Sequence, residues 1–226
     1  VGDPAFVDIP LERLTSKRYA ATLAALIRDG EQAQVERLAR VPESKDTTQV
    51  SVIDEEGNAF SMTHSLGMPS GVITDGLGFM YNNSMVNFDP YPGNPNSIAP
   101  RKGRTTGMTP TLVLKDGKPV LVLGAPGATR IITSVLQVIL NHLEFGMSIT
   151  DAVHAPRFDC QGDLIRCQRR IPESVCEEIR KSHDVVRIPR SHGGLALVHA
   201  VAIDPETGGL SGAADPGADG MALLVP

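Results

Sequence analysis

Polar and apolar positions alternate along residues 47–63. Thr47 and Thr48 lead into Gln49-Val50-Ser51-Val52, Glu55-Glu56-Gly57-Asn58 interrupts, and Ala59-Phe60-Ser61-Met62-Thr63 alternates again. A period of two is that of a strand with one buried face, and the interruption is turn chemistry. The stretch predicts a β-hairpin whose first strand opens with a pair of hydroxyls. Helical spacing appears twice. Residues 16–28 place Tyr19, Leu23, Leu26 and Ile27 on one face, with Ser16 or Thr15 as the cap. Residues 131–145 place Ile132, Val135, Leu136, Ile139 and Leu143 on a face to be buried, and Gly146 closes the helix. Shorter helices are predicted from Thr150 and over 172–181, with Pro172 in its first turn. A strand is predicted at 77–81, broken by Asn82-Asn83. A hairpin joins 111–114 to 119–123 through Lys115-Asp116-Gly117-Lys118, and another joins 195–203 to 210–213. Residues 30–46 are polar without a period and read as a linker ending at Asp46. The prolines of 89–104 make that segment an irregular loop. The class is α+β, with helices layered on antiparallel sheet.

Composition narrows the function more than the fold. A chain of 226 residues holds one domain, or one domain plus an arm. A net charge of −5 with interspersed signs argues against nucleic acid as a partner. No apolar run approaches the roughly 20 residues of a membrane span. The opening VGDPAFVDIP has neither an initiator Met nor a signal-peptide pattern, so the chain reads as a fragment or processed product whose compartment is unassigned. Cys160 and Cys167 could bridge in an oxidising compartment, or Cys160, Cys167 and Cys176 could all serve as small hydrophobes. Their spacing matches no common zinc signature and the histidines are scattered. Neither a metal nor a cofactor is expected.

Three stretches could carry chemistry. A threonine hydroxyl at neutral pH needs an adjacent base. Its own α-amino group, with an ordinary pKa of roughly 8, can be that base if the chain is cut just before it. A cut between Asp46 and Thr47 would create such a residue; alternatively, Thr-Thr simply favours entry into a strand. In GAPGATR (124–130) a strand ends in glycine and small residues lead into a helix. Backbone N–H groups there suit an oxyanion hole or a phosphate, or the turn is only a tight corner. In RKGRTTGMTPT (101–111), Arg101, Lys102 and Arg104 could hold a substrate carboxylate, or form a solvated loop. No G-x-S-x-G elbow supports a serine hydrolase.

GDPAFV, TTQVSVIDEEGNAFSMT, GFMYNNSMVNF, GMTPTLV, LVLGAPGATRIITSVLQVILN, AVHAPRF and GAADP follow one another along the chain. In kind and order they resemble the landmarks of the γ-glutamyltransferases, or glutathione hydrolases, of the N-terminal nucleophile hydrolase superfamily. The resemblance implies a four-layer αββα sandwich and a precursor that cuts itself before a threonine. Residues 1–46 would be the tail of the large subunit and 47–226 the small, catalytic subunit, whose partner is the large subunit of the same precursor. It places the nucleophile on Thr47, its supporting hydroxyl on Ser65, and the oxyanion-hole N–H groups on Gly127 and Ala128.

The resemblance places substrate-binding positions on Gly67, Ser84, Asn87, Thr106 and Gly107, each changed in type, and Arg104 of the basic loop is a further substrate-binding candidate. Gly67 stands for an asparagine, Ser84 for a glutamine, Asn87 for the ammonium-binding aspartate, and Thr106-Gly107 for a pair of serines. The implied enzyme is an amidohydrolase working through an acyl-threonine ester on a small-molecule amide whose acyl part lacks the full glutamate head. An ordinary glutathione hydrolase or transpeptidase with a rebuilt pocket is the alternative. A catalytically idle homologue kept for binding or assembly is the alternative of another class.

Overall fold

The computed structural model describes residues 2–32, 47–162 and 164–225, so all but the first three residues of the predicted linker, Asp46 included, lie outside the described residues. Two compact units emerge. The smaller draws on residues up to 32 and on 84–106. Its helices are α1 (Leu11–Leu14) and α2 (Lys17–Arg28). Ser16 caps α2 as expected, its hydroxyl accepting the Tyr19 N–H at 3.1 Å. A 3₁₀ turn, Ser84–Asn87, leads into the proline-rich loop, which has no strand. Short polar side chains hold that loop instead. Asn96 donates to the Asn87 carbonyl (2.7 Å) and accepts from the Thr105 N–H (3.0 Å), and Asp3 accepts from the Gly103 N–H (2.6 Å).

In the larger unit, β1 (Thr47–Ile53) pairs antiparallel with β2 (Ala59–Ser65). Strands β3 (Pro69–Ile73) and β4 (Met80–Asn82) form a second, irregular hairpin. The expected strand at 77–81 is thus displaced: it starts at Met80, because Thr74–Gly78 turns the chain, with positive φ at Gly76 and Gly78. The next pair, β5 (Thr111–Lys115) and β6 (Lys118–Gly124), joins through Asp116-Gly117. Both turn residues have positive φ, 52° and 77°, which matches the strand twist of a two-residue hairpin.

Helices α3 (Ile131–Leu143) and α4 (Ile149–His154) follow, with Ser148 capping α4. Next come β7 (Phe158–Cys160), β8 (Leu164–Gln168), α5 (Glu173–Ile179) and β9 (Asp184–Ile188), a three-stranded sheet with β8 and β9 parallel. Finally β10 (His199–Ile203) and β11 (Leu210–Ala214) complete a four-stranded sheet in the order β11-β10-β6-β5. The predicted strand from 195 begins only at His199.

Helices α3 and α4 cover one face of the four-stranded sheet. Leu121, Leu123, Ile131, Val135, Val138 and Val153 build the core there, with alanines of β10. On the other face the β1–β2 hairpin packs across β6 and β10. The α+β class holds, and the unit stacks sheet, sheet and helices: three successive layers of the expected αββα order.

One expectation about a face changes, and one that the alternation left open is decided. On α3 the core is met by Ile131, Ser134, Val135 and Val138, whereas Ile132, Leu136 and Leu143 are exposed. The helix is apolar on more than one side, so its period alone could not select the core face. On β1 and β2 the inward face is the polar one. Gln49, Ser51, Ser61 and Thr63 point inward, while Val50, Val52, Phe60 and Met62 face out, each at least 41% exposed. A polar face can be buried because its groups satisfy one another, as the site shows.

Candidate active site

Thr47 is the first residue of β1 and stands opposite Ser65, the last of β2. Their hydroxyls meet at 2.8 Å. The Ser65 oxygen also accepts the Gly67 N–H at 2.9 Å, a close turn that Gly67 permits with φ 73°. With that lone pair engaged, the Ser65 proton can be given to the Thr47 oxygen, where it would stabilise developing negative charge. Thr48 points the other way and is exposed, as strand alternation requires.

Gln49, two residues on and on the same face as Thr47, ties this hairpin to the sheet below. Its amide oxygen accepts from Thr63 (2.6 Å), and its amide nitrogen reaches the hydroxyls of Ser51 and Ser61 (both 3.0 Å). Ser61 in turn donates to the Leu123 carbonyl at 2.9 Å. Gly124 lies directly against the Gln49 side chain; a Cβ there would sit 2.3 Å from the amide oxygen. The strand that carries Thr47 and the strand that ends in the glycine turn are therefore interlocked at one residue pair. Sequence reasoning missed Gln49 and Gly124. The available signal was a polar face running through Gln49, Ser51, Ser61 and Thr63.

Beyond Gly124 the chain turns through Ala125, Pro126, Gly127 and Ala128 into a 3₁₀ turn (Ala128–Arg130) and α3. Gly127 is required twice: its φ is 148°, and a Cβ would collide with Ala196 at 2.4 Å. Ala128 adopts φ 52°, the left-handed region, which costs a non-glycine residue about 1–2 kcal/mol. Such a value fits a backbone held for the direction of its N–H groups rather than for comfort. Ala128→Gly should therefore raise stability by about 1 kcal/mol without loss of turnover, a gain that thermal unfolding of paired samples would register. Gly107 packs on this turn, its Cβ position 3.1 Å from the Ala128 carbonyl oxygen.

Thr47, Ser65, Gly67, Gly107, Gly127 and Ala128 thus all belong to the larger unit. Ser84, Asn87, Arg104 and Thr106 belong to the smaller one. There Asn87 donates to the Ser84 carbonyl at 3.3 Å, and Arg104 donates to the Thr105 carbonyl at 3.0 Å. The Lys102 ammonium sits over the Phe6 ring, 5.4 Å from its centroid, and Arg101 is exposed with φ 63°.

The cysteines do not form the Cys160–Cys167 bridge. Cys160 pairs across the sheet with Ile165, and its thiol donates to the Gly162 carbonyl. Cys167 lies buried beside Cys176, its thiol pushed up to about 11 chiefly by burial. No helix among the described residues is long and apolar enough to cross a membrane. No group of three or more His, Cys, Asp or Glu among the described residues could hold a metal ion.

The gamma-glutamyltranspeptidase family model matches residues 1–225. The chain is 42% identical over 226 residues to the acylase ACY 1 proenzyme of Pseudomonas sp. (strain V22), covering 99% of this chain and 40% of that one. It is 33% identical over 235 residues to the glutathione hydrolase proenzyme of Escherichia coli (strain K12), covering 96% and 40%. Among solved structures, cephalosporin acylase from Bacillus halodurans superposes with a TM-score of 0.80 at 25% identity, over 98% of this chain and 40% of that one. The chain spans about 40% of the length of these curated relatives.

Proposed function

Since this chain belongs to the gamma-glutamyltranspeptidase family, we propose that it carries the catalytic machinery of an N-terminal threonine amidohydrolase, self-processed between Asp46 and Thr47. One observation carries the reading: the 2.8 Å contact of the Thr47 and Ser65 hydroxyls on a strand locked to the glycine turn. After the cut, the Thr47 α-amine takes the proton from its own hydroxyl, and the oxygen attacks an amide carbonyl. The N–H groups of Gly127 and Ala128 bind the tetrahedral oxyanion, and Ser65 donates to the Thr47 oxygen. The leaving amine departs with the proton, leaving an acyl-Thr47 ester. Water, deprotonated by the same amine, releases the acid and restores the hydroxyl.

The rest of the precursor, the large subunit of the family's proenzymes, is the proposed partner. The exposed apolar face of Val50, Val52, Phe60 and Met62 is suited to be covered by it.

The acyl group we infer lacks the ammonium of a glutamate head. Asn87 is neutral where the resemblance places an aspartate, and Ser84 and Gly67 shorten the polar reach. Thr106, Gly107 and Arg104 complete the inferred substrate-binding positions. An ammonium bound without its charge partner forfeits about 2–5 kcal/mol. The higher identity to a protein named an acylase points the same way. The test compares kcat/KM for glutaryl-p-nitroanilide and γ-glutamyl-p-nitroanilide, which differ only in the α-amino group. The glutaryl amide should win, and Asn87→Asp should narrow the gap. A tenfold preference for the γ-glutamyl amide, about 1.4 kcal/mol, would instead favour the second reading, a glutathione hydrolase with a rebuilt pocket. That reading is supported by the relatives named glutathione hydrolase.

A further inference from the structure

The glycine turn does not stand on its own backbone. Its close neighbour is the segment 193–197: Ala196 fills the space a side chain at position 127 would need, and the Leu197 N–H donates to the Pro126 carbonyl at 3.0 Å. Each of three carbonyls of that segment is held by a different side chain. Gln168 donates to the Gly193 oxygen (3.1 Å), Arg130 to the Gly194 oxygen (2.7 Å) and Arg157 to the Ala196 oxygen (3.2 Å).

Gly193 and Gly194 both have positive φ, 70° and 76°, and glycine loses the most backbone freedom on ordering. Such a segment needs fixing from outside to give a constant surface. Arg130 does so from the position directly after the turn, since it ends the 3₁₀ stretch that begins at Ala128. It reaches across to the same segment on which Gly127 rests.

We infer that Arg130 is a positioning residue for the proposed reaction. It acts with Gln168 and Arg157 to press the segment 193–197 onto the turn, and so aims the Gly127 and Ala128 N–H groups. Arg130 touches no reacting atom in this scheme. Its effect falls on the transition state, in which the oxyanion forms, more than on binding of the ground-state amide. A displacement of about 1 Å at such a site can cost on the order of 100-fold in rate.

The inference rests on the threonine mechanism proposed above. The experiment uses the whole precursor protein and glutaryl-p-nitroanilide. It first establishes by mass spectrometry that wild-type Thr47 carries an acyl adduct, without which the mechanism itself falls and this inference with it. Arg130→Leu and Arg130→Gln then remove the cationic donor to the Gly194 carbonyl and with it the 3.9 Å ion pair to Asp159, Arg130→Lys restores a cationic donor to both, and Arg180→Ala, which breaks an exposed pair with Glu173, controls for ordinary surface loss.

Expected is a fall in kcat of tenfold or more in Arg130→Leu and Arg130→Gln, with KM within threefold of wild type. Recovery to within threefold of wild-type kcat is expected in Arg130→Lys, with no change in Arg180→Ala. A smaller fall, a loss expressed in KM, or no recovery in Arg130→Lys overturns the inference while leaving the mechanism standing. Failure of both neutral variants to fold overturns it too, because Arg130 would then be structural.

Discussion

Thr47→Ala should leave the precursor uncut between residues 46 and 47 and without turnover, while Thr47→Ser retains part of both. The methyl side chain removes the oxygen that would attack the preceding peptide bond and, later, the amide substrate. Ser65, although 2.8 Å away, cannot replace it, because its own amine is bound in the backbone of β2. Losing the nucleophile of a hydrolase costs on the order of 10⁴-fold or more in kcat. Thr47→Ser keeps the hydroxyl and, once cut, the amine, and loses only the methyl that restricts the side chain's rotation. Thr48→Ala supplies the contrast. Its side chain lies on the exposed face, so cutting and kcat should stay within a few fold of wild type. Intact mass and single-substrate kinetics decide all three. A cut, active Thr47→Ala, or a Thr48→Ala as inactive as Thr47→Ala is expected to be, would place the nucleophile elsewhere.

What the sequence disclosed of this site followed from how local each signal was. The hairpins of β1–β2 and β5–β6 were readable because their turns carry their own chemistry, Glu56-Gly57-Asn58 and Asp116-Gly117. The sheet of β7, β8 and β9 was not, because its strands are short and its parallel pair is formed across α5, a contact no local pattern encodes. Alternation on β1 gave the period but not the side, since a buried polar face and a buried apolar face have the same period. The threonine and the glycine turn were each ambiguous by pattern and gained a role only through the family's ordered landmarks. What positions them, namely Gln49 against Gly124 and the clamped segment 193–197, joins residues far apart in the chain.

The largest stability loss is expected at Arg157. Its side chain and that of Asp215 are both 2% exposed and form an ion pair. The guanidinium also donates to the carbonyls of Val153 (2.5 Å) and Ala196 (3.2 Å), and only Nε lacks an acceptor among the described residues. Burial pulls Arg157 below its ordinary value, and the Asp215 charge counteracts that, so the pair survives only together. Asp215 has a second task, accepting the Gly217 N–H at 2.8 Å. Arg157→Met would strand a carboxylate in the interior and two carbonyls without donors, a change worth about 3–5 kcal/mol. For a unit of this size that lowers Tm by roughly 6–20 °C. Arg157→Met combined with Asp215→Asn removes the stranded charge while keeping an acceptor for Gly217, so the double variant should lose less than the two single losses added together. Thermal unfolding of the four proteins side by side measures this. Additive losses would mean that the two groups do not depend on each other, and the buried pair would then not be what holds β11 and the segment 193–197 to the end of α4.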